Sequence, residues 1–126
     1  MMTGHVTAEG EIALTLAPAD PQSTPIEAIV DTGFNGELTL PSDLLQSLGA
    51  IPAGTRTAEL ADGSLVVMNV HAVRILWHGQ PCDVAAMETD STPLVGMSLL
   101  WGSRVAFDAR DQGTLAIEEI TPGPTP

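Results

Sequence analysis

Apolar residues along this chain recur mostly every second position, which is the period of a strand with one buried face. Ile12, Leu14 and Leu16 alternate with small or polar residues, and Ile26, Ala28 and Val30 repeat the pattern. Leu38-Thr39-Leu40 is a short third strand. The period then changes. In Pro41-Ser42-Asp43-Leu44-Leu45-Gln46-Ser47-Leu48-Gly49 the leucines share one helical face, with Pro and Ser at the start and Gly just past the end. Thr55–Ala61 and Leu65–Trp77 flank Asp62-Gly63, a hairpin signal. The second arm of 13 residues spans about 43 Å at roughly 3.3 Å per residue. A compact domain of this length has a radius of gyration of about 14 Å. That arm must therefore bend, or its tip must stand off the body.

Strands follow near Cys82–Met87 and Thr92–Val95, then a short helix over Met97–Trp101. A last hairpin joins Val105–Asp108 to Thr114–Ile120 around Asp111-Gln112-Gly113. The three prolines of Ala17–Pro25 mark a loop, and the start of the chain reads as short and ragged. The elements predict an all-β fold, a closed or sandwich-like barrel with two short helices, formed by a single domain over residues 1–120. The Pro/Gly-rich tail 121–126 is expected to be disordered.

Composition narrows the function. The 126 residues carry 16 acids against four arginines and no lysine, a net charge of −12. Neutralising nucleic-acid phosphates or an anionic membrane surface needs cations, so neither partner is expected. No apolar run approaches the roughly 20 residues of a membrane helix, and no basic-then-apolar leader is seen, so a cytoplasmic protein is expected. Without lysine, Schiff-base chemistry and a Walker-type phosphate lysine are excluded. Cys82, the single cysteine, can form neither an internal disulfide nor a cysteine zinc cluster, and reads as a small buried apolar residue.

Candidate chemistry is sparse. His5, His71 and His78 lack a metal-ligand spacing and read as ordinary strand and loop histidines. Gly96-Met97-Ser98-Leu99-Leu100 breaks the serine-hydrolase elbow at its last position. Asp108–Gly113 has the outline of a calcium loop, but Arg110 stands where an oxygen ligand is needed. No metal or other cofactor is expected. What remains is Ile29-Val30-Asp31-Thr32-Gly33: a carboxylate at the end of an apolar strand, followed by a residue that can hydrogen-bond locally and a glycine that permits close backbone approach.

In these surroundings the sequence resembles the retropepsin-like aspartic proteases. The motifs that carry the resemblance are Ile29-Val30-Asp31-Thr32-Gly33, the strand Leu38-Thr39-Leu40-Pro41, the hairpin at Asp62-Gly63 and Leu94-Val95-Gly96 before a helix. Asp31-Thr32-Gly33-Phe34-Asn35-Gly36 and Leu94-Val95-Gly96-Met97 look like the small single-domain prokaryotic members, and the resemblance spans about residues 11–120. It implies a closed acid-protease barrel with a flap hairpin. It also implies peptide hydrolysis by water held between two carboxylates, one ionised and one protonated. Only one Asp-Thr-Gly is present, so a homodimer would bring two copies of Asp31 together.

By the same resemblance Thr32 would bond across the twofold axis, and Gly33 would let the backbone of a peptide or protein substrate lie close. Phe34, Asn35 and the flap residues Ala61, Asp62, Gly63 and Ser64 would contact that substrate. Phe34 departs from the retroviral pattern, where Ala or Ser is usual, and the tip Ala61–Ser64 is less glycine-rich and carries an acid. Leu115-Ala116-Ile117 would serve either as intersubunit sheet or as a simple edge strand. The competing reading is a non-catalytic dimeric β-barrel that binds a peptide or protein partner. An acidic regulatory partner of a basic protein, suggested only by charge, is a third.

Overall fold

The computed structural model describes residues 1–121. Ten strands and two short helices follow the order β1 Met2–Val6, β2 Ile12–Leu16, β3 Ile26–Val30, β4 Leu38–Leu40, α1 Ser42–Ser47, β5 Ile51–Glu59, β6 Leu65–Trp77, β7 Gln80–Glu88, β8 Leu94–Val95, α2 Met97–Leu100, β9 Ser103–Phe107 and β10 Thr114–Glu119. Alternation places the core as the sequence predicts. Leu14 and Leu16 on β2, and Ile26, Ala28 and Val30 on β3, are buried with Leu38, Leu40, Ile75, Val84, Val95, Leu115 and Ile117. Helix α1 lays Leu45 into this core with Leu44 and Leu48 packed beside it. The helix is followed by Gly49 at φ +65°, a conformation glycine adopts without a Cβ clash.

All strands belong to one sheet, in the order β5-β6-β7-β4-β8-β3-β2-β1-β10-β9. The expected closed barrel is therefore corrected: the sheet is open, with β5 and β9 as its two edges. Closure would require those edges to pair, and β5 belongs to a hairpin that stands off the body. The nearest approach to closure lies just past β2. There the Leu76 N–H donates to the Ala17 carbonyl (2.8 Å), and the Ala19 N–H donates to the Arg74 carbonyl (3.0 Å). This contact stops at the isolated bridge Pro18↔Ile75. Ala17 and Ala19 are the residues that turn their backbones to β6; the next in that alternation is Pro21, which has no N–H to donate, and the chain turns at Asp20.

Three further expectations change. The start of the chain is strand β1, paired with both β2 and β10. Gly4 makes this possible, because a Cβ there would collide with the Ala13 carbonyl of β2. Leu115-Ala116-Ile117 lies inside the sheet between β1 and β9, so it is neither an edge nor free for intersubunit pairing. Cys82 is only half-buried, packed against the core from β7. Of the expected tail 121–126, only Thr121 falls within the described residues, where it is exposed and outside any strand or helix. No helix among the described residues is long and apolar enough to cross a membrane.

Candidate active site

Asp31 follows the last residue of β3, where three connections hold the turn. Strands β3 and β8 run parallel, with Val30 opposite Val95. The Asp31 N–H extends this pairing by donating to the Val95 carbonyl (2.9 Å). The Phe34 N–H then donates back to the Asp31 carbonyl (3.1 Å). Finally the Gly33 N–H donates to Asp31 Oδ1 (2.9 Å), fixing the carboxylate against its own turn. Asp31 is half-buried, whereas Thr32 and Gly33 are exposed. Thr32 Oγ1 makes no hydrogen bond among the described residues and faces outward at the motif.

The second wall of the turn is the start of α2. The Met97 N–H donates to the Phe34 carbonyl (2.8 Å), the Ser98 N–H to the Gly36 carbonyl (3.1 Å) and the Gly96 N–H to the Glu37 carbonyl (3.0 Å). Ser98 Oγ donates to the Asn35 carbonyl. Backbone groups that a turn would leave open are thus paired by a segment 59 to 63 residues away in sequence. This requires glycine at two positions. A Cβ on Gly96 would strike the Gly36 carbonyl, and on Gly36 it would strike the Phe34 ring. Phe34 is therefore folded over its own loop, against Gly36 and Gly96. The sequence reading placed Phe34 at the site but assigned no role to Gly36 or Ser98; the Leu94-Val95-Gly96 signal was the route by which α2 was legible.

A groove of about 400 Å³ lies beside this turn, lined by Gly33, Phe34, Asn35, Gly36, Met87 and the run Arg56-Thr57-Ala58-Glu59 of β5. Consecutive strand residues point to opposite faces, so four in a row meet the groove with the strand's edge rather than with one face. That edge is free, since β5 pairs only with β6. Sequence reasoning missed this wall. It placed the hairpin contact at Ala61, Asp62, Gly63 and Ser64, which form the exposed tip and do not line the groove.

At the tip the Leu60 N–H donates to the Ser64 carbonyl (2.8 Å), and Gly63 sits at φ +84°. Asp62 Oδ1 accepts from the Ser64 N–H (2.9 Å) and from Ser64 Oγ (2.6 Å). These bonds from the Ser64 hydroxyl and amide hold the Asp62 carboxyl below its ordinary range. The structure thus brings Asp31, Gly33, Phe34 and Asn35 to one place, and leaves residues 61–64 apart from it. Among the described residues no group of three or more His, Cys, Asp or Glu is placed to hold a metal ion.

No protein-family model matches the chain, and no curated protein matches it. Among solved structures, a retropepsin-like aspartic protease from Rickettsia conorii superposes with a TM-score of 0.57 at 15% identity, covering 95% of this chain and 91% of that one. The chain has the retropepsin-like fold. The likeness runs nearly end to end through both chains.

Proposed function

We propose that the protein is an aspartic endopeptidase acting as a homodimer in the cytoplasm, where an unpaired Cys82 is at home. The carrying observation is the Asp31-Thr32-Gly33 turn, tied to β8 and α2 beside an open groove, on a retropepsin-like fold. One protomer holds one such carboxylate, and the reaction needs two. A twofold axis beside the exposed Thr32 and Gly33 would set the two Asp31 groups around one water. The ionised partner takes a proton from the water as it attacks the scissile carbonyl; the protonated partner polarises that carbonyl. The substrate is a peptide or protein segment lying extended along the groove, where the free edge of β5 offers backbone hydrogen bonds.

The test is a comparison of wild type with Asp31→Asn on a pooled peptide library, together with sedimentation equilibrium. Wild type should cleave and should sediment near twice the 13.1 kDa protomer mass. Asp31→Asn should remain dimeric and lose at least about a thousandfold in kcat/KM, the scale expected when a reacting group is removed. Undiminished turnover in the variant, or cleavage by a strict monomer, would overturn the proposal.

A further inference from the structure

Most charged residues on the strands of this sheet meet a polar partner on a neighbouring strand, as Glu27 meets the Thr15 hydroxyl and Glu88 the Asn69 amide. Arg74 on β6 stands directly opposite Asp83 on β7, and the two form an ion pair at 2.8 Å. Arg104 on β9 stands opposite Glu118 on β10, paired at 3.5 Å. The third strand arginine departs from this pattern. Arg56 on β5 stands opposite Met68, and it makes no ion pair among the described residues. Three residues on, Glu59 stands opposite Leu65, again with no polar partner among the described residues. Both residues lie on the edge strand that lines the groove beside Asp31. Arg56 is the one guanidinium in that lining, in a chain of net charge −12.

We infer that the missing cross-strand partners are supplied by the bound peptide, so that the groove selects segments carrying opposite charges three residues apart. The inference rests on the proposed function only in taking the groove as a seat for an extended peptide. The spacing follows from strand geometry. Arg56 and Glu59 are about 10 Å apart along β5 at roughly 3.3 Å per residue, and their side chains leave on opposite faces. A peptide added at the edge of β5 has the same rise and the same alternation. Its residues opposite Arg56 and Glu59 are therefore also three apart, each facing its partner directly. An antiparallel peptide would read base-x-x-acid, and a parallel one acid-x-x-base. Charges two apart would emerge on one face and miss one of the two partners.

The experiment uses Asp31→Asn protein, so that nothing depends on cleavage, and fluorescein-labelled octapeptides that are otherwise uncharged. The pair Lys-x-x-Glu and Glu-x-x-Lys is compared by fluorescence anisotropy, with Lys-x-Glu as the spacing control. One order should bind more tightly, each matched charge contributing about 1.5- to fivefold in Kd. The spacing control should bind more weakly than the favoured order, and 1 M salt should compress the difference. The double exchange Arg56→Glu with Glu59→Arg should invert the favoured order. The separate changes Arg56→Gln and Glu59→Gln, at exposed positions, should flatten it. Equal binding of the two orders, a preference that survives the exchange, or no binding of any peptide would overturn the inference. Cleavage by wild type without an order preference would sink the inference alone. An order preference without cleavage would sink the protease reading alone.

Discussion

The two halves of strand β6 have similar sequences and opposite surroundings. In Leu65-Val66-Val67 the residues are exposed, Leu65 at 71% and Val67 at 67%, whereas farther along the same strand Val70 and Val73 are buried and Ile75 is at 0%. The near half packs between β7 and the contact with Ala17–Ala19, over the core. The far half has only β5 beside it, and nearly all of β5 is exposed. A β-branched run thus serves the core in one place and a projecting arm in the other. Strand propensity reports fit to a pleated surface, and what covers that surface is a separate matter.

Removing side chains from the two halves should expose the contrast most strongly. Ile75→Ala should lower unfolding free energy by about 2–5 kcal/mol, the range for truncating a fully buried aliphatic side chain. Val67→Ala should stay within about 0.5 kcal/mol, as for surface positions. Urea midpoints read both, and equal losses would mean that the arm is packed in solution against something this protomer does not supply.

A smaller effect should be confined to the tip. Gly63 has a positive φ of +84° with nothing within 4 Å of an added Cβ, so Gly63→Ala meets backbone strain but no clash. The left-handed conformation costs a residue with a Cβ about 1–2 kcal/mol. Amide exchange at Leu60 and Ser64 should quicken while the global urea midpoint barely moves, because the tip opens locally. A midpoint shift as large as that of Ile75→Ala would show that arm and body unfold as one unit.

The smallest effect is that of acid. The Asp62 carboxyl is held below its ordinary value by Ser64, so it favours the folded tip when ionised. That contribution is present above the carboxyl's unfolded value and is lost as pH falls through the lower folded one. An NMR titration should show the Asp62 carboxyl titrating below the ordinary aspartate value of 3.8. Ser64→Ala should move it back up. An unchanged titration in Ser64→Ala would assign the shift to another cause.

Much of this contrast was legible beforehand. The bounds of β6 match the predicted Leu65–Trp77, and its length alone implied either a bend or a projecting tip. The local signals at β2, β3, α1 and α2 were equally readable, because alternation, helical spacing and flanking Gly or Pro are properties of neighbouring residues. Strand β1 was hidden. Met2-Thr3-Gly4-His5-Val6 carries little apolar alternation, and Gly4 reads as a breaker until β2 is seen to approach it. In the candidate site, Asp31-Thr32-Gly33 stood out, whereas Arg56 and Glu59 did not. Nothing local distinguishes a strand charge facing solvent from one facing a groove.

The sequence by itself determined where most strands and both helices form, which side chains make much of the core, and that one protomer carries one Asp-Thr-Gly turn. Each of these depends on residues a few positions apart. Tertiary structure decided that the sheet stays open, that β10 lies inside it, and that the edge of β5 rather than the hairpin tip borders the Asp31 turn. These depend on which distant backbones pair. Alternation fixes the face a side chain takes, but it is silent on which strand lies at either edge. That choice was made by long-range contacts: Val95 beside Asp31, α2 against Phe34 and Gly36, and the Ala17–Ala19 contact with β6, which stops at one bridge.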